Sequence, residues 1–307
     1  MLYVSTRNVS ETYTAYRAIH EENAPDGGQY VPFHLPKFTD KEIHTFKALG
    51  FGDAVAQVLN LFFSLRLSKS EVESAIGHQP VKIVALGQRL IIEEMWHNPI
   101  GSCEYLIQEL YSIMTEKSAM PVGWSCIAIK IALLFGIYTM LEGYTKDFDI
   151  AVAADDYSDL TAILYAKDMG LPINLSICAC NENNSTWDFV NKGEFATGVE
   201  QPKYMECFLF KLFSAQEVKR YLDACQRKTV YCIDAAQLEV LNNTTFAAVV
   251  SKNRVDSIIS STFNTNQYHM DSEAALAYAS LQDNRSQTGI SNQTLVLSKI
   301  RPNGAKE

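Results

Sequence analysis

Few residues of this 307-residue chain stand at spacings that could do covalent or metal chemistry. Cys103 follows a turn-rich loop, Met95-Trp96-His97-Asn98-Pro99-Ile100-Gly101-Ser102, and opens a run with helical spacing through Leu106, Leu110 and Met114. A thiol at a helix N-terminus has a lowered pKa and gains nucleophilic character. No histidine is placed beside it by sequence except His97, across the loop, so Cys103 is expected to act as a small apolar filler. His97 is expected to make loop hydrogen bonds rather than serve as a base. A second cluster is acidic: Asp155, Asp156 and Asp159 flank Tyr157 and Ser158. Grouped carboxylates suit hard divalent cations. Acids at a helix start also complement the helix dipole; that reading is preferred here, and no metal is expected. Trp187 is read as packing.

Seven cysteines stand at 103, 126, 178, 180, 207, 225 and 232. The number is odd, no CxxC is present and no histidine stands at zinc spacing, which points to reduced thiols used as small apolar residues. Lys plus Arg total 26 against 35 Asp plus Glu, a net charge of −9. No basic run exceeds a pair such as Lys219-Arg220, so a nucleic-acid partner is not expected. The most apolar stretch, 126–141, contains Lys130 and is shorter than the roughly 20 residues of a membrane span. With no signal-peptide pattern at the N-terminus, the expected setting is cytoplasmic, without a membrane partner. Apolar residues at 47% and charged ones at 20% are ordinary for a globular protein.

The elements that must position these residues follow from pattern. Residues 11–23 read as one helix before the turn Pro25-Asp26-Gly27-Gly28, and 30–32 as an extended piece. Thr39 with Glu42, and Ser68 with Glu71, form capping boxes. The helix after Thr39 is expected to end at Gly50 and Gly52, and 53–66 to form another. Residues 1–79 thus read as a mostly helical module, and 80–307 as an α/β domain. In the latter, 82–86 and 90–92 suggest a hairpin around Gly87, 103–115 and 124–142 are helices, and 295–297 is a last short strand. Residues 148–154, 159–169 and 173–179 read strand, helix, strand: a βαβ crossover in a mainly parallel sheet. Such sheets bind ligands beyond the carboxyl ends of their strands, here at 155–158.

Several blocks resemble the threonine synthase family: Tyr3-Val4-Ser5-Thr6-Arg7, Ala24-Pro25-Asp26-Gly27-Gly28-Gln29-Tyr30-Val31-Pro32, Glu93-Glu94-Met95-Trp96-His97-Asn98-Pro99, and Tyr165 to Ile173 with Asn181-Glu182-Asn183. The Met270-Asp271-Ser272 region and the tail 297–302 resemble its end. The resemblance runs the length of the chain. It implies a tryptophan-synthase-β-like fold, PLP fold type II, and an ancestry in pyridoxal-phosphate (PLP) enzymes that turn O-phosphohomoserine into threonine and phosphate.

The departures from that pattern set the functional expectation. Aligning on Gln108 places Cys103 where the family has its Schiff-base lysine, and a thiol cannot form the internal aldimine. Lys117 and Lys130, the nearest lysines, lie in other contexts. The phosphate-cradling turn aligns with Ala153-Ala154-Asp155-Asp156-Tyr157-Ser158-Asp159, without glycines and with three carboxylates. Two like charges about 4 Å apart repel by roughly 4 kcal/mol at an effective dielectric near 20. Lys299, beside Ser298, aligns with the residue at the pyridine nitrogen. The substrate-gripping small domain has no room between the Cys103 helix and Trp124.

The resemblance therefore implies a truncated, non-catalytic member with a binding or regulatory role. The degenerate cofactor positions are Asp155, Asp156, Tyr157, Ser158 and Lys299, and the residual pocket holds His97, Asn98, Ser102 and Glu104. No bound cofactor is expected, and the expected partner is a second copy or a homologous threonine synthase, through a face exposing Trp96, Ile100 and Trp124. The alternative is an active PLP-dependent threonine synthase with a shifted lysine, or a related lyase with altered activity.

Overall fold

The first strand of the computed structural model, β1 (Leu2–Ser5), pairs antiparallel with β2 (Tyr13–Thr14) and with β3 (Tyr30–Pro32). The structure describes all residues except 88, 142–146, 154–155, 182–184, 199–200 and 306–307. The single helix expected over 11–23 is therefore a short strand followed by α1 (Ala15–His20). Pairing with β1 captures Tyr13 and Thr14, and local periodicity carries no trace of that distant ladder. The module of residues 1–79 consequently holds a three-stranded sheet beside its helices. Both capping boxes form, opening α2 (Asp40–Phe46) and α4 (Lys69–Ile76). Gly50 caps α3 (Phe51–Phe63), whereas Gly52 lies inside that helix rather than ending one.

The second region opens with the hairpin β4 (Lys82–Ala85) and β5 (Leu90–Glu94). Helix α5 (Cys103–Thr115) follows, and residues 116–123 alone join it to α6 (Trp124–Met140). The backbone before α6 requires glycine: Gly123 has φ +55°, and a Cβ there would lie 2.5 Å from the Glu22 carbonyl oxygen. Then come β6 (Phe148–Ala153), α7 (Ser158–Asp168) and β7 (Ile173–Cys180), the expected crossover. Helix α8 (Thr186–Lys192), β8 (Glu194–Ala196), α9 (Met205–Leu212), α10 (Ala215–Arg227), β9 (Val230–Cys232) and α11 (Ala235–Asn242) follow, with β8 paired antiparallel to β9 and α9 packed on α7. The chain closes with β10 (Thr245–Val249), α12 (Lys252–Asn266), α13 (Ser272–Thr288) and β11 (Thr294–Ser298).

The main sheet has the order β10-β7-β6-β11-β5-β4, parallel except at β4. The fold is α/β, with helices on both faces. Ile91, Ile150, Val152, Leu295 and Leu297 face the layer of α5, α6 and α7. Leu90, Ile92, Ala151, Ile177 and Val296 face α12 and α13. Alternation along the strands thus sorts two cores. The first core is continuous with the N-terminal module through α3, which lies along α6. Trp124, expected on an exposed face, is fully buried against Tyr3, Phe62 and Tyr165. Trp96 is also buried and donates through Nε1 to Ser298 Oγ at 3.0 Å. The N-terminal module occupies the space that made Trp124 look uncovered.

Candidate functional site

All parallel strands end on one edge of the sheet, and the chain leaves that edge carrying its ionisable side chains. Met95 follows β5, Lys299 follows β11, Cys103 opens α5, and Ser158 and Asp159 open α7 after β6. These elements surround an open cleft of about 340 Å³. A small cavity of about 20 Å³ adjoins it between α5, α6 and α7, sharing Cys103, Ile107, Lys130 and Lys299 with its wall. The cleft is large enough for a small ligand, and the cavity for about one water.

Lys130 projects from the otherwise apolar α6 into this space. Its Nζ lies 2.6 Å from Asp159 Oδ1 and 2.6 Å from Ser158 Oγ. Ser158 in turn donates to Asp156 Oδ1 at 2.5 Å. Lys299 Nζ lies 3.2 Å from the other Asp159 oxygen, Oδ2, and 3.1 Å from Glu273 Oε2 on α13. One carboxylate thus bridges two ammonium groups from different elements. The side chains of Lys130, Lys299 and Asp159 are 16%, 10% and 14% exposed.

Burial disfavours charge on Asp159, but the two lysines outweigh it and hold its carboxyl well below the usual range. Burial likewise acts to lower the Lys130 pKa, and the facing Asp159 reverses this, holding the amine protonated above its ordinary range. Cys103 is buried, and its thiol is pushed up to about 12 by burial first and then by Asp159. Its place at the start of α5 does not activate it, because desolvation dominates. Ser102 caps α5, its Oγ accepting from the Glu104 amide at 3.2 Å.

The expected site residues separate into two groups. Ser102, Cys103, Glu104, Asp156, Ser158 and Lys299 line the cleft. His97 does not: its Nε2 lies 2.7 Å from Glu94 Oε2, its ring stacks on Trp96, and it faces a separate depression with Tyr268 and His269. Asn98 fixes the loop, donating to the Met95 and Ser102 carbonyls at 3.2 and 2.8 Å. Tyr157 is buried with its ring 4.9 Å from that of Phe208, turned into the core. Asp155 lies outside the described residues, as do Glu182 and Asn183. Lys130, assigned to another context from its sequence position, is central to the cleft, and Asp159 is its partner. A lone lysine inside an apolar helix was the available signal, since a buried ammonium requires a counter-charge.

Among the described residues no group of three or more His, Cys, Asp or Glu side chains converges for a metal ion. Nor is any of their helices long and apolar enough to cross a membrane.

Solved structures share this architecture. Across 98% of this chain and 89% of the other, it superposes on PLP-bound threonine synthase from Brucella melitensis with a TM-score of 0.86 at 15% identity. Yeast threonine synthase gives 0.82 at 16% identity, over 97% and 87% of the two chains. The fold is therefore PLP fold type II, an α/β architecture with a mainly parallel sheet. Residues 2–79 match the family model for the threonine synthase N terminus. The human protein Threonine synthase-like 1 is 25% identical over 269 residues, 74% of this chain and 36% of that protein. Threonine synthase of Serratia marcescens is 25% identical over 183 residues, 55% of this chain and 42% of the relative. The chain spans less than half the length of these two relatives.

Proposed function

We propose that this chain is a non-catalytic threonine-synthase-like protein with a binding or regulatory role. The observation that carries the reading is the bridge from Asp159 to both cleft lysines. Imine formation needs a neutral amine. The Lys130 amine is held protonated by Asp159, and Cys103 stands where the resemblance implies the reacting lysine. The residues present do not fit PLP: a buried carboxylate lies between the cations that would attract its phosphate, and the short 116–123 link leaves no substrate domain after α5. No bound cofactor is therefore proposed.

The test uses purified wild-type protein incubated with PLP and then borohydride. The expected result is no stoichiometric adduct on Lys130, Lys299 or residues 100–108, and no phosphate release from O-phosphohomoserine. A one-to-one adduct on a cleft lysine, or phosphate release with turnover, would establish the active-enzyme alternative instead.

The binding role is proposed to be association with a second copy or with a homologous threonine synthase, in the cytoplasm. Exposed apolar groups at the cleft rim support it: Met120 and Ile300 line the cleft, and Ile100 lies in the loop just before Ser102. Sedimentation over a concentration series, with and without Ile300→Glu, decides this. A wild type that remains monomeric and binds no homologous enzyme removes the association role.

A further inference from the structure

We propose that Asp159 is an internal surrogate ligand: its carboxylate fills the place between Lys130 and Lys299 that a small external oxyanion would take, so the chain's own side chain shuts an anion site. The proposal rests on the non-catalytic reading of the cleft and explains how the site is closed. Three observations carry it.

First, the two lysines come from separate elements, α6 and the segment after β11, and both contact this one carboxylate. Each ammonium takes a different oxygen, Oδ1 at 2.6 Å and Oδ2 at 3.2 Å, the arrangement expected around a bound oxyanion. Second, the anion is delivered by the first turn of α7, directly after the parallel strand β6, where helix dipole and strand-end geometry both favour negative charge. Third, an open cleft of about 340 Å³ adjoins the cluster and includes both lysines in its wall, so an external ion has a route to the same groups.

The other charges at the cleft limit what enters. Glu273 stays on Lys299 at 3.1 Å, Asp156 is held by Ser158, and Glu104 lies on the wall. With Asp159 in place, an incoming oxyanion meets carboxylates on several sides and already neutralised ammonium groups. With Asp159 neutral, Lys130 loses its directly contacting carboxylate, keeps the more distant Asp156, and becomes the binding group.

The experiment compares wild type, Asp159→Asn and the double variant Lys130→Met/Asp159→Asn, using inorganic phosphate as probe. Thermal unfolding is followed in phosphate and in chloride at equal ionic strength. The expected result is a saturable rise in the midpoint of Asp159→Asn with phosphate, with at least about tenfold tighter apparent binding than wild type, equivalent to about 1.4 kcal/mol. Wild type should respond to phosphate no more than to chloride. The double variant, which removes the bared cation together with its partner, should fold and show no phosphate response. If Asp159→Asn fails to fold in chloride, refolding in phosphate supplies the readout, and recovery there supports the proposal. A phosphate response in Asp159→Asn no larger than in wild type, an equal response in the double variant, or refolding that phosphate does not rescue would overturn it. A second arm with PLP separates a general oxyanion site from one that also accepts the phosphate ester. Binding of both supports an open site, whereas PLP binding without phosphate binding overturns the oxyanion assignment. The wild-type borohydride experiment is independent of these variants, so failure of the non-catalytic reading is recognised separately.

Discussion

The backbone N–H of Cys103 donates to the Lys299 carbonyl at 2.8 Å. This bond ties the first turn of α5 to the segment after β11, and Ser102 forms a β-bridge with Ile300 beside it. The thiol is thereby fixed next to the Lys130–Asp159–Lys299 bridge, in a place with too little water to ionise it.

Cys103 should accordingly be inert as a nucleophile. Alkylation needs thiolate, and a thiol pushed up to about 12 supplies about one part in ten thousand at pH 8. With limiting iodoacetamide on the folded protein, peptide mapping should find the exposed Cys232 modified long before the buried Cys103. Equal labelling rates for the two would mean that the cleft opens in solution.

Glu93 on β5 is fully buried, with no hydrogen-bond partner for either carboxyl oxygen. Burial, and secondarily Asp159, raises its pKa well above the ordinary value, so the carboxyl is neutral in the fold. In the unfolded chain it ionises above about pH 4.3. Between these two pKa values the native state binds more protons, so this group's contribution to stability falls as pH rises. The slope is about 1.4 kcal/mol per pH unit. Glu93→Gln, which resembles the neutral acid, should match wild type near pH 4 and become progressively more stable than it towards pH 8. Urea midpoints across that range check this; parallel curves would show that Glu93 finds a partner when ionised.

The sequence made some of this readable and concealed the rest for physical reasons. The capping boxes at Thr39 and Ser68, the start of α5 at Cys103 and the β6–α7–β7 crossover are local or periodic signals, and each is present. Pairing of Tyr13 and Thr14 with β1 depends on a strand ten residues away and leaves no mark in spacing. The bridge from Lys130 to Asp159 joins two helices, and neither residue alone reveals the other. The placement of His97 was hidden differently. Along β5, Glu93 points to one core and Glu94 to the opposite face, and His97 follows Glu94 rather than the cleft.

Trp124 should behave as a core residue. Its ring lies between Tyr3, Phe62 and Tyr165 with no exposed surface. Trp124→Ala should cost about 3–5 kcal/mol through the cavity it leaves. Ile100→Ala, on a side chain that is 59% exposed, should remain within about 0.5 kcal/mol of wild type. Denaturant unfolding of both variants measures the contrast. A Trp124→Ala protein as stable as wild type would place that face in solvent after all.

The division at residue 79 leads to the last prediction. By composition, 1–79 and 80–307 look like two units, and the family model ends at the same boundary. The packing joins them. Tyr3, Val4, Val55, Leu59 and Phe62 of the first segment belong to one core with Trp124, Ile127 and Ile131 of α6. Gly136 on α6 sits so close to Phe51 that an added Cβ would lie 2.9 Å from its ring. Arg7 adds a two-point ion pair, Nε and Nη2 to Glu206 of α9 at 2.9 and 2.6 Å. Residues 80–307 expressed alone would present the apolar flank of α6 to water, and monomers rarely tolerate a large contiguous apolar patch. That fragment should aggregate or bind a hydrophobic dye without a cooperative thermal transition, and adding residues 1–79 in trans should restore one. A soluble, cooperatively unfolding 80–307 fragment would instead make the first module an independent appendage, and the burial of Trp124 a consequence of docking rather than of folding.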